Sequence, residues 1–480
     1  MMTKGTGHER PLDIVILGGG IAGLATAVAL RQRTPHHVTV LERAALQGCS
    51  NHSRRTVEDD GAPPSETQHL DTDYGIALAP NGSYILGLLG MKDHARELRG
   101  IQLNYWALRP ASDEEVPASQ FPTDPLAPAI FCSRGALIRW LIKAATDESL
   151  PGTPVTIESG LGSLKIDIRS AKAGSKSGDL LILADGLTKT GRAAVLANQG
   201  LPPEHWEDAY ITAPQVAYMG LLPVSALSKH SHLLMDGKLQ LQPNGTLMNW
   251  TWDPADEEGN VEEDPMRRAA KQQRLILYPI SKEHVQLFAY LPSTPELLAR
   301  FQRGARGGRA AFIRNVSSEE AAHHFAAFAP NVRELLTACP KLDLAQIRDA
   351  PTLASWHSND ARAVIIGDAA HAALPHTGQG SSQALEDADA LSHLLRPLRA
   401  ATSTCPEESE ILVPQLAAAL KTFDSVRLPR AHLTQRIARL FNGCIDPAEL
   451  QQMDCFDFEE YNVRVMSYRG VEAHLAQNPA

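Results

Sequence analysis

The sequence predicts an α/β chain of two interleaved domains closed by C-terminal helices, and three observations predict it. A glycine-rich turn follows an apolar run near the start, a second such turn follows an apolar run far along the chain, and the stretch between them carries strand-like patterning. At 480 residues the chain is long enough for two or three domains.

The first turn is Gly18-Gly19-Gly20-Ile21-Ala22-Gly23, set between the apolar run Asp13 to Leu17 and the helix-like Ala22 to Leu30. A strand that turns sharply into a helix aims the free amide N–H groups of that helix at whatever lies before it, and a pyrophosphate suits them. Gly18 permits the turn, Gly20 lets phosphates approach the backbone, and Gly23 lets helix and strand pack closely. Nineteen residues after Gly23, at the end of a second strand-like run from His37 to Leu41, stands Glu42. Its carboxylate is placed to accept from both hydroxyls of an adenosine ribose. Together these features predict a Rossmann-like nucleotide site.

The second turn, Gly367-Asp368-Ala369-Ala370-His371, follows the mostly apolar run Arg362 to Ile366 and leads into Leu374-Pro375-His376-Thr377-Gly378-Gln379-Gly380. A strand ending in Gly-Asp sets a carboxylate at the mouth of a sheet, where it can bind the hydroxyls of a sugar-like chain such as the ribitol of a flavin. Residues Pro375 to Gly380 then offer backbone N–H groups at the start of a helix from Ser381 to Leu395, positioned to stabilise negative charge on the pyrimidine edge of a reduced flavin. The two turns together point to FAD held along its whole length.

Composition narrows the rest. Hydrophobic residues make up 43% and charged residues 21%, an ordinary globular mixture, and the net charge of -10 argues against nucleic acid or an anionic membrane as partner. The six cysteines, Cys49, Cys132, Cys339, Cys405, Cys444 and Cys455, form no C-x-x-C pair. Reduced thiols in a reducing compartment are expected, without zinc or a disulfide framework. The run Leu12 to Leu30 is hydrophobic enough to suggest a signal anchor, but Asp13 and the glycine pattern explain it better. A soluble, cytoplasmic protein with no stable membrane insertion is expected.

Between the turns, 46–73 is polar and aperiodic and reads as a flexible insertion. Tyr74 to Gly82 reads as a strand ending in a turn, Ser83 to Leu89 as a short helix, and Arg134 to Ile142 has helical spacing. Asp179 to Gly186 is an apolar strand stopping at an acidic turn. Val216 to Leu222, Thr246 to Trp252, Arg274 to Ile280 and Val285 to Leu291 are strand-like. The acidic run Asp253 to Asp264 has no His or Cys beside it and reads as a solvated loop, so no metal is predicted. Ser317-x-x-Glu320 is a capping box opening a helix through Ala322 to Phe328, and two further helices, Leu416 to Val426 and Ala431 to Phe441, are separated at Pro429. This order divides the chain into a Rossmann-like FAD-binding domain (11–107, 128–206 and 343–400), a β-rich substrate domain (108–127 and 207–342) and a C-terminal helical segment (411–445).

Gly18-x-Gly20-x-x-Gly23 with Glu42, the Asp185-Gly186 turn, and Gly367 to His371 through Gly378-Gln379-Gly380 to Glu386-Asp387 resemble the three signatures of the single-component (group A) FAD-dependent aromatic monooxygenases. Gly75-Ile76-x-x-x-Pro80-Asn81, Trp356 and Arg427-x-Pro429-Arg430-Ala431 resemble the salicylate-hydroxylase-like branch, to which many fungal biosynthetic enzymes of secondary metabolism belong. The resemblance covers nearly the whole chain. It implies FAD as cofactor, NAD(P)H as a reductant bound transiently without a second Rossmann domain, and molecular oxygen captured as a flavin C4a-hydroperoxide. One oxygen atom then passes to an aromatic or heteroaromatic small molecule, by hydroxylation or epoxidation.

By the same resemblance, Gly18, Gly20, Ile21, Ala22, Gly23, Glu42, Arg43, Arg134, Asp185, Asp368, Pro375, Gly378, Gln379, Gly380 and Ser381 form the cofactor site. Glu42 takes the adenosine ribose, Arg134 the phosphate and ribityl region, and Asp368 the ribitol. Asp185 and Arg192 lie near FAD and the incoming nicotinamide. Arg192 and His376 are the candidates for a catalytic role, whereas His371 reads as structural. Met219, Trp250, Trp252 and Leu374 are candidates for a substrate pocket roofed by the β-sheet and floored by flavin. The middle signature departs from its pattern at Leu183 and Lys189. Met219 stands where the branch often carries arginine, which implies a neutral, apolar substrate. Trp250 and Trp252 also resemble the Trp-x-Trp of flavin halogenases, although Pro254-Ala255 replaces the Ile-Pro of that pattern and alternating tryptophans more often pack a core. A flavin-dependent halogenase or oxidase, and a non-catalytic FAD-binding redox protein, are the alternative readings.

Overall fold

The computed structural model describes residues 9–46, 74–114, 116–122, 124–188, 190–206, 211–229, 234–235, 238–239, 245–255, 261–303, 312–401, 406–451, 453 and 458–478. The insertion expected over 46–73 lies, apart from residue 46, outside them. A five-stranded, all-parallel sheet forms the nucleotide-binding part, in the order Ala363–Ile365, Leu180–Leu183, Asp13–Leu17, His37–Leu41, Thr156–Glu158. Parallel strands are covered on both faces, and Leu180 to Leu183 are accordingly buried without a break. The helix Ile21–Arg33 buries Ala22 to Arg31; its alanines let it lie close between the sheet and the helix Gly380–Leu395. Arg31 donates to the carbonyls of Ala144, Asp147 and Leu150 at 3.1, 2.6 and 2.9 Å, closing the C-terminus of the helix Arg134–Thr146.

The second layer is an eight-stranded mixed sheet in the order Phe312–Val316, Leu342–Asp349, Ile211–Pro223, His284–Pro292, Gln273–Pro279, Thr246–Trp252, Tyr105–Pro110, Ser119–Gln120. The four central strands match the sequence expectation closely because their apolar residues alternate. One face packs Val216, Tyr218, Leu275 and Leu287 against Phe301, Phe325 and Leu335 from the helices Pro295–Arg303 to Pro330–Thr337. The other face turns to the nucleotide-binding part, where Ala217, Tyr290 and Ile347 meet Leu374 and Ala438.

Three expectations are corrected. Leu342–Asp349 belongs to the large sheet, paired with Ile211–Pro223, and not to the nucleotide-binding part from 343. Both of its faces are buried, Leu342 and Leu344 on one and Ala345 and Ile347 on the other, so it carries no alternation to read. Tyr105–Pro110 enters the same sheet, parallel to Thr246–Trp252, ahead of the expected boundary at 108. The two C-terminal helices are one, Pro406–Leu440, continuous through Pro414 and Pro429. Pro429 loses one backbone hydrogen bond, but Arg427 and Arg430 on either side clamp this stretch to Glu386. No helix among the described residues is long and apolar enough to cross a membrane.

Candidate cofactor and substrate site

The glycines of the first turn answer to different physical demands. Gly18 has φ of +113°, and a Cβ there would stand 2.3 Å from the Ala184 carbonyl oxygen; a Cβ on Gly23 would stand 2.0 Å from the Gly18 oxygen. Gly20 meets nothing within 4 Å, so its face opens onto free space at the start of the helix Ile21–Arg33, which has no side-chain cap. Ile21 and Ala22 carry the first helical N–H groups beside that space. Glu42 pins the loop, accepting from the Gly19 amide at 2.5 Å and the Ala44 amide at 2.8 Å. Each of its oxygens keeps a further acceptor position. Arg43 beside it is exposed.

At the second turn, Gly367 (φ +58°) delivers Asp368 as the first residue of the short helix Asp368–His371. Asp368 sits deep among protein atoms, and this burial pushes its carboxyl pKa up against the opposing charges of His371 and Arg134, yet the side chain keeps solvent access. A group both desolvated and accessible lines a cleft. Arg134, which begins a helix capped by Ser133, is brought to that cleft from a distant part of the chain. Gly378 takes the left-handed conformation (φ +63°), and the helix Gly380–Leu395 then starts without a side-chain cap; Gly380, like Gly20, meets nothing within 4 Å. Pro375 and Gly380 are exposed, and Ser381 is half-buried. Gln379 is buried, accepts from Asn81 at 3.0 Å, and its Nε2 finds no acceptor among the described residues. Asp185, at the end of Leu180–Leu183 beside Gly18, accepts from Gly191 at 2.9 Å and from Thr188, leaving buried Oδ1 without a partner.

These residues fit FAD. Two open helix starts suit anionic groups, the Asp368 carboxylate suits the hydroxyls of a sugar-like chain, and buried polar atoms of Gln379 and Asp185 lack a partner among the described residues.

Arg192 is corrected as a catalytic candidate. It is buried and donates to the carbonyls of Ala369, Ala370 and Pro351 at 3.3, 3.1 and 2.8 Å, so it braces the C-terminal end of the Asp368 helix. A second brace lies behind the same turn. Asp387 accepts from the Gly367 amide at 2.9 Å, from His371 at 2.7 Å and from Arg427 at 2.9 Å; Arg427 and Arg430 also hold Glu386, which accepts from Asn81 at 2.7 Å. Ion pairing carries the pKa of both carboxylates below the usual range in spite of burial.

Over the inner face of the eight-stranded sheet the aromatic rings form a row. Ring centroids step from Phe131, on the separate strand Ile130–Ser133, to Tyr278 of the large sheet (4.4 Å), to Phe288 (6.1 Å), to Tyr290 (5.9 Å) and on to His376 of the flavin turn (4.9 Å). Met219 pairs across strands with Phe288 on this face, and Leu374 packs in the same cluster. Burial, reinforced by the Arg274 charge, drives the His376 pKa well below 6.5, so the ring is neutral; Asn442 Nδ2 contacts its Nε2 at 2.9 Å. Trp250 and Trp252 do not belong here. Trp250 is fully buried on the opposite face, donating to Asp113 at 2.6 Å, and Trp252 packs in that same core.

The chain is similar to known flavoproteins. The FAD dependent oxidoreductase family model matches residues 13–64. Hispidin-3-hydroxylase of Neonothopanus nambi is 24% identical over 400 residues, 81% of either chain. Salicylate hydroxylase of Pseudomonas putida is 24% identical over 443 residues, 89% of this chain and 85% of its own. The fold matches that of Klebsiella pneumoniae HpxO complexed with FAD and uric acid (TM-score 0.59, 21% identity, 97% of this chain and 95% of that one). It also matches a salicylate hydroxylase substrate complex (TM-score 0.60, 20% identity, 98% and 96%). Over most of its length the chain is similar to FAD-dependent monooxygenases. FAD is its cofactor.

Several residues that face the cleft escaped the sequence reading. Phe288 and Tyr290 alternate along a predicted strand, a signal of one shared face that only the register resolves. Arg274 is a cation at the start of an otherwise apolar strand, and Asn442 lies past the end of the long helix, where nothing local marks it.

Proposed function

We propose that this monooxygenase uses NAD(P)H and molecular oxygen to insert one oxygen atom, by hydroxylation or epoxidation, into an aromatic or heteroaromatic small molecule. The observation that carries the reading is the aromatic row that crosses the inner face of the large sheet and ends on His376, in the turn that fits the flavin. When bound and reduced, FAD supplies the activation of oxygen and the transfer of one of its atoms. The chain holds the reactants. Asp368 and the uncapped helix starts at Ile21 and Gly380 hold the cofactor, the row from Phe131 to Tyr290 offers a planar substrate a flat apolar wall, and that wall excludes water. Neutral His376, with one ring nitrogen taking the Asn442 amide hydrogen, keeps one N–H to donate to an oxygen on the substrate ring without carrying a competing charge.

Relatives named for the hydroxylation of hispidin and for salicylate support the aromatic class. We assign the enzyme to cytoplasmic secondary metabolism, the setting implied by its likeness to fungal biosynthetic monooxygenases. FAD-loaded protein incubated with NADH or NADPH and a panel of phenols and indoles tests the reading. The expected result is reductant oxidation stimulated by one substrate and a product heavier by one oxygen atom, labelled from dioxygen. Peroxide release without oxygenated product across the panel, a halogenated product, or dependence on a separate reductase would overturn it.

A further inference from the structure

We infer that Met466 is a specificity residue of the substrate cleft: it closes the end of the aromatic row opposite His376 and limits the length of the ring system the cleft admits. The inference rests on the reading above and names a wall of that same site. Met466 is the last residue of the helix Phe458–Met466, which lies beyond the C-terminal helical segment expected from the sequence. It is half-buried and packs against the apolar cluster that contains Phe121, Phe131 and Tyr278. Phe131 and Tyr278 begin the row, 4.4 Å apart, whereas His376 ends it, 4.9 Å from Tyr290.

The helix that carries it is held from several sides. Arg430 of the long helix, itself paired with Glu386, donates to the carbonyls of Arg464 and Val465 at 3.2 and 2.9 Å, and Arg469 donates to the Met466 carbonyl at 3.0 Å. These bonds satisfy carbonyls that the end of a helix leaves open. Arg469 also pairs with Asp124 at 2.8 Å, and its guanidinium carbon lies 5.2 Å from the centre of the Tyr84 ring. Earlier on the same helix, Tyr461 and Val465 are buried against Ile437 of the long helix, and the Tyr461 hydroxyl reaches Thr434 and Thr377 of the flavin turn. One short helix thus touches the flavin turn with Tyr461 and the substrate wall with Met466.

The row is longer than one ring. Phe288, in its middle, stands 6.1 Å from Tyr278 and 5.9 Å from Tyr290, and with Ile276 it packs both against the cluster that Met466 joins and against the cluster of Leu374. A single ring laid over Phe288 and Tyr290 leaves Tyr278 and Phe131 to another group, and there Met466 stands. Beside it Trp106 meets Phe121 edge to face at 5.8 Å, a stiff pair next to an adjustable side chain. Methionine is unbranched and polarizable and fits against ring edges in several rotamers, so its reach decides how far a second fused ring extends along the row. Val463 of the same helix is 62% exposed and takes no part in this wall.

The test uses FAD-loaded protein titrated with phenol and with 2-naphthol, read by perturbation of the flavin absorbance. Met466→Ala should raise the affinity for 2-naphthol relative to phenol by about fivefold or more, the worth of one or two methylene-sized contacts. Met466→Trp should lower the same ratio by as much, because the larger side chain fills the end of the row. Met466→Leu, which conserves volume, and Val463→Ala should keep the wild-type ratio. FAD content should match wild type in all four variants. A ratio unchanged in both Met466→Ala and Met466→Trp, an equal change in Val463→Ala, flavin loss in the Met466 variants, or no binding of either probe would overturn the inference. Colourless wild-type protein defeats the reading above; yellow, oxygenating protein whose ligand ratio ignores residue 466 defeats this inference alone.

Discussion

Arg427 Nε donates to Asp387 Oδ1 across 2.9 Å, with both side chains fully removed from solvent. The pair reaches the flavin turn because the other oxygen of Asp387 holds the Gly367 amide and His371. Pairing, hydrogen bonding and position thus make one structural unit out of the long C-terminal helix and the turn that presents Asp368.

Removing the cation should expose its worth. Arg427→Met leaves Glu386 and Asp387 buried with one partner fewer, and unfolding stability should fall by about 3–5 kcal/mol, the usual cost of stranding a buried charge. Thermal and urea unfolding check this, with FAD release expected to precede global unfolding. A melting curve identical to wild type would deny the network its structural role.

Stability should also fall on mild acidification. Burial lowers the pKa of His36 and His376 and brings His432 to about 4. In the unfolded chain each returns to about 6.5, so between these values the unfolded state binds protons that the folded state refuses. Their contribution is complete above about pH 6.5 and is lost as pH falls toward the folded values. The depressed carboxylates Glu386 and Asp387 lose theirs only at lower pH, below the ordinary carboxylate range. Melting temperatures measured from neutral pH downward should decline through this window, and His432→Gln should flatten the slope.

The two kinds of glycine should part company. Gly20→Val places its side chain in open space at a residue with φ of -78°, so the protein should fold normally and emerge without flavin. Asp368→Ala should likewise be colourless, through lost ribitol contacts. Gly23→Ala drives a methyl group to 2.0 Å from a backbone oxygen and should lower the melting temperature itself. Yellow protein from both Gly20→Val and Asp368→Ala would contradict the cofactor placement.

The two faces of the large sheet predict opposite outcomes for aromatic substitutions. Phe288→Ala should weaken aromatic ligands by about 1 kcal/mol or more, roughly fivefold, with FAD content intact. Trp250→Phe loses a buried hydrogen bond to Asp113 and should lower stability by about 1–3 kcal/mol without changing ligand affinity. Titration of the flavin absorbance and thermal melts separate the two.

The cofactor half of the site was legible because its demands are local. Gly18, Gly20 and Gly23 answer a turn, a phosphate and a helix contact within a few residues, and Asp368 follows its strand directly. The substrate half was not, because it is a property of register. Arg274, Tyr290 and Ala217 become neighbours only when three strands pair, and Trp250 leaves the cleft through the same two-residue alternation that brings Phe288 into it. Arg192 was misplaced for a related reason: its partners are backbone carbonyls, which no side-chain pattern announces.

The order of strands in the parallel sheet bears on how the polypeptide is made. Leu180–Leu183 is flanked by Asp13–Leu17 on one side and by Ala363–Ile365 on the other. During synthesis the ribosome releases the first pair long before the third strand exists, leaving an apolar edge unpaired while the six strands of the second sheet from Ile211–Pro223 to Leu342–Asp349 emerge. Nascent chains shorter than Leu395 lack the helix that carries Glu386 and Asp387. A chain ended before this helix therefore lacks the carboxylate that holds the Gly367 amide and His371.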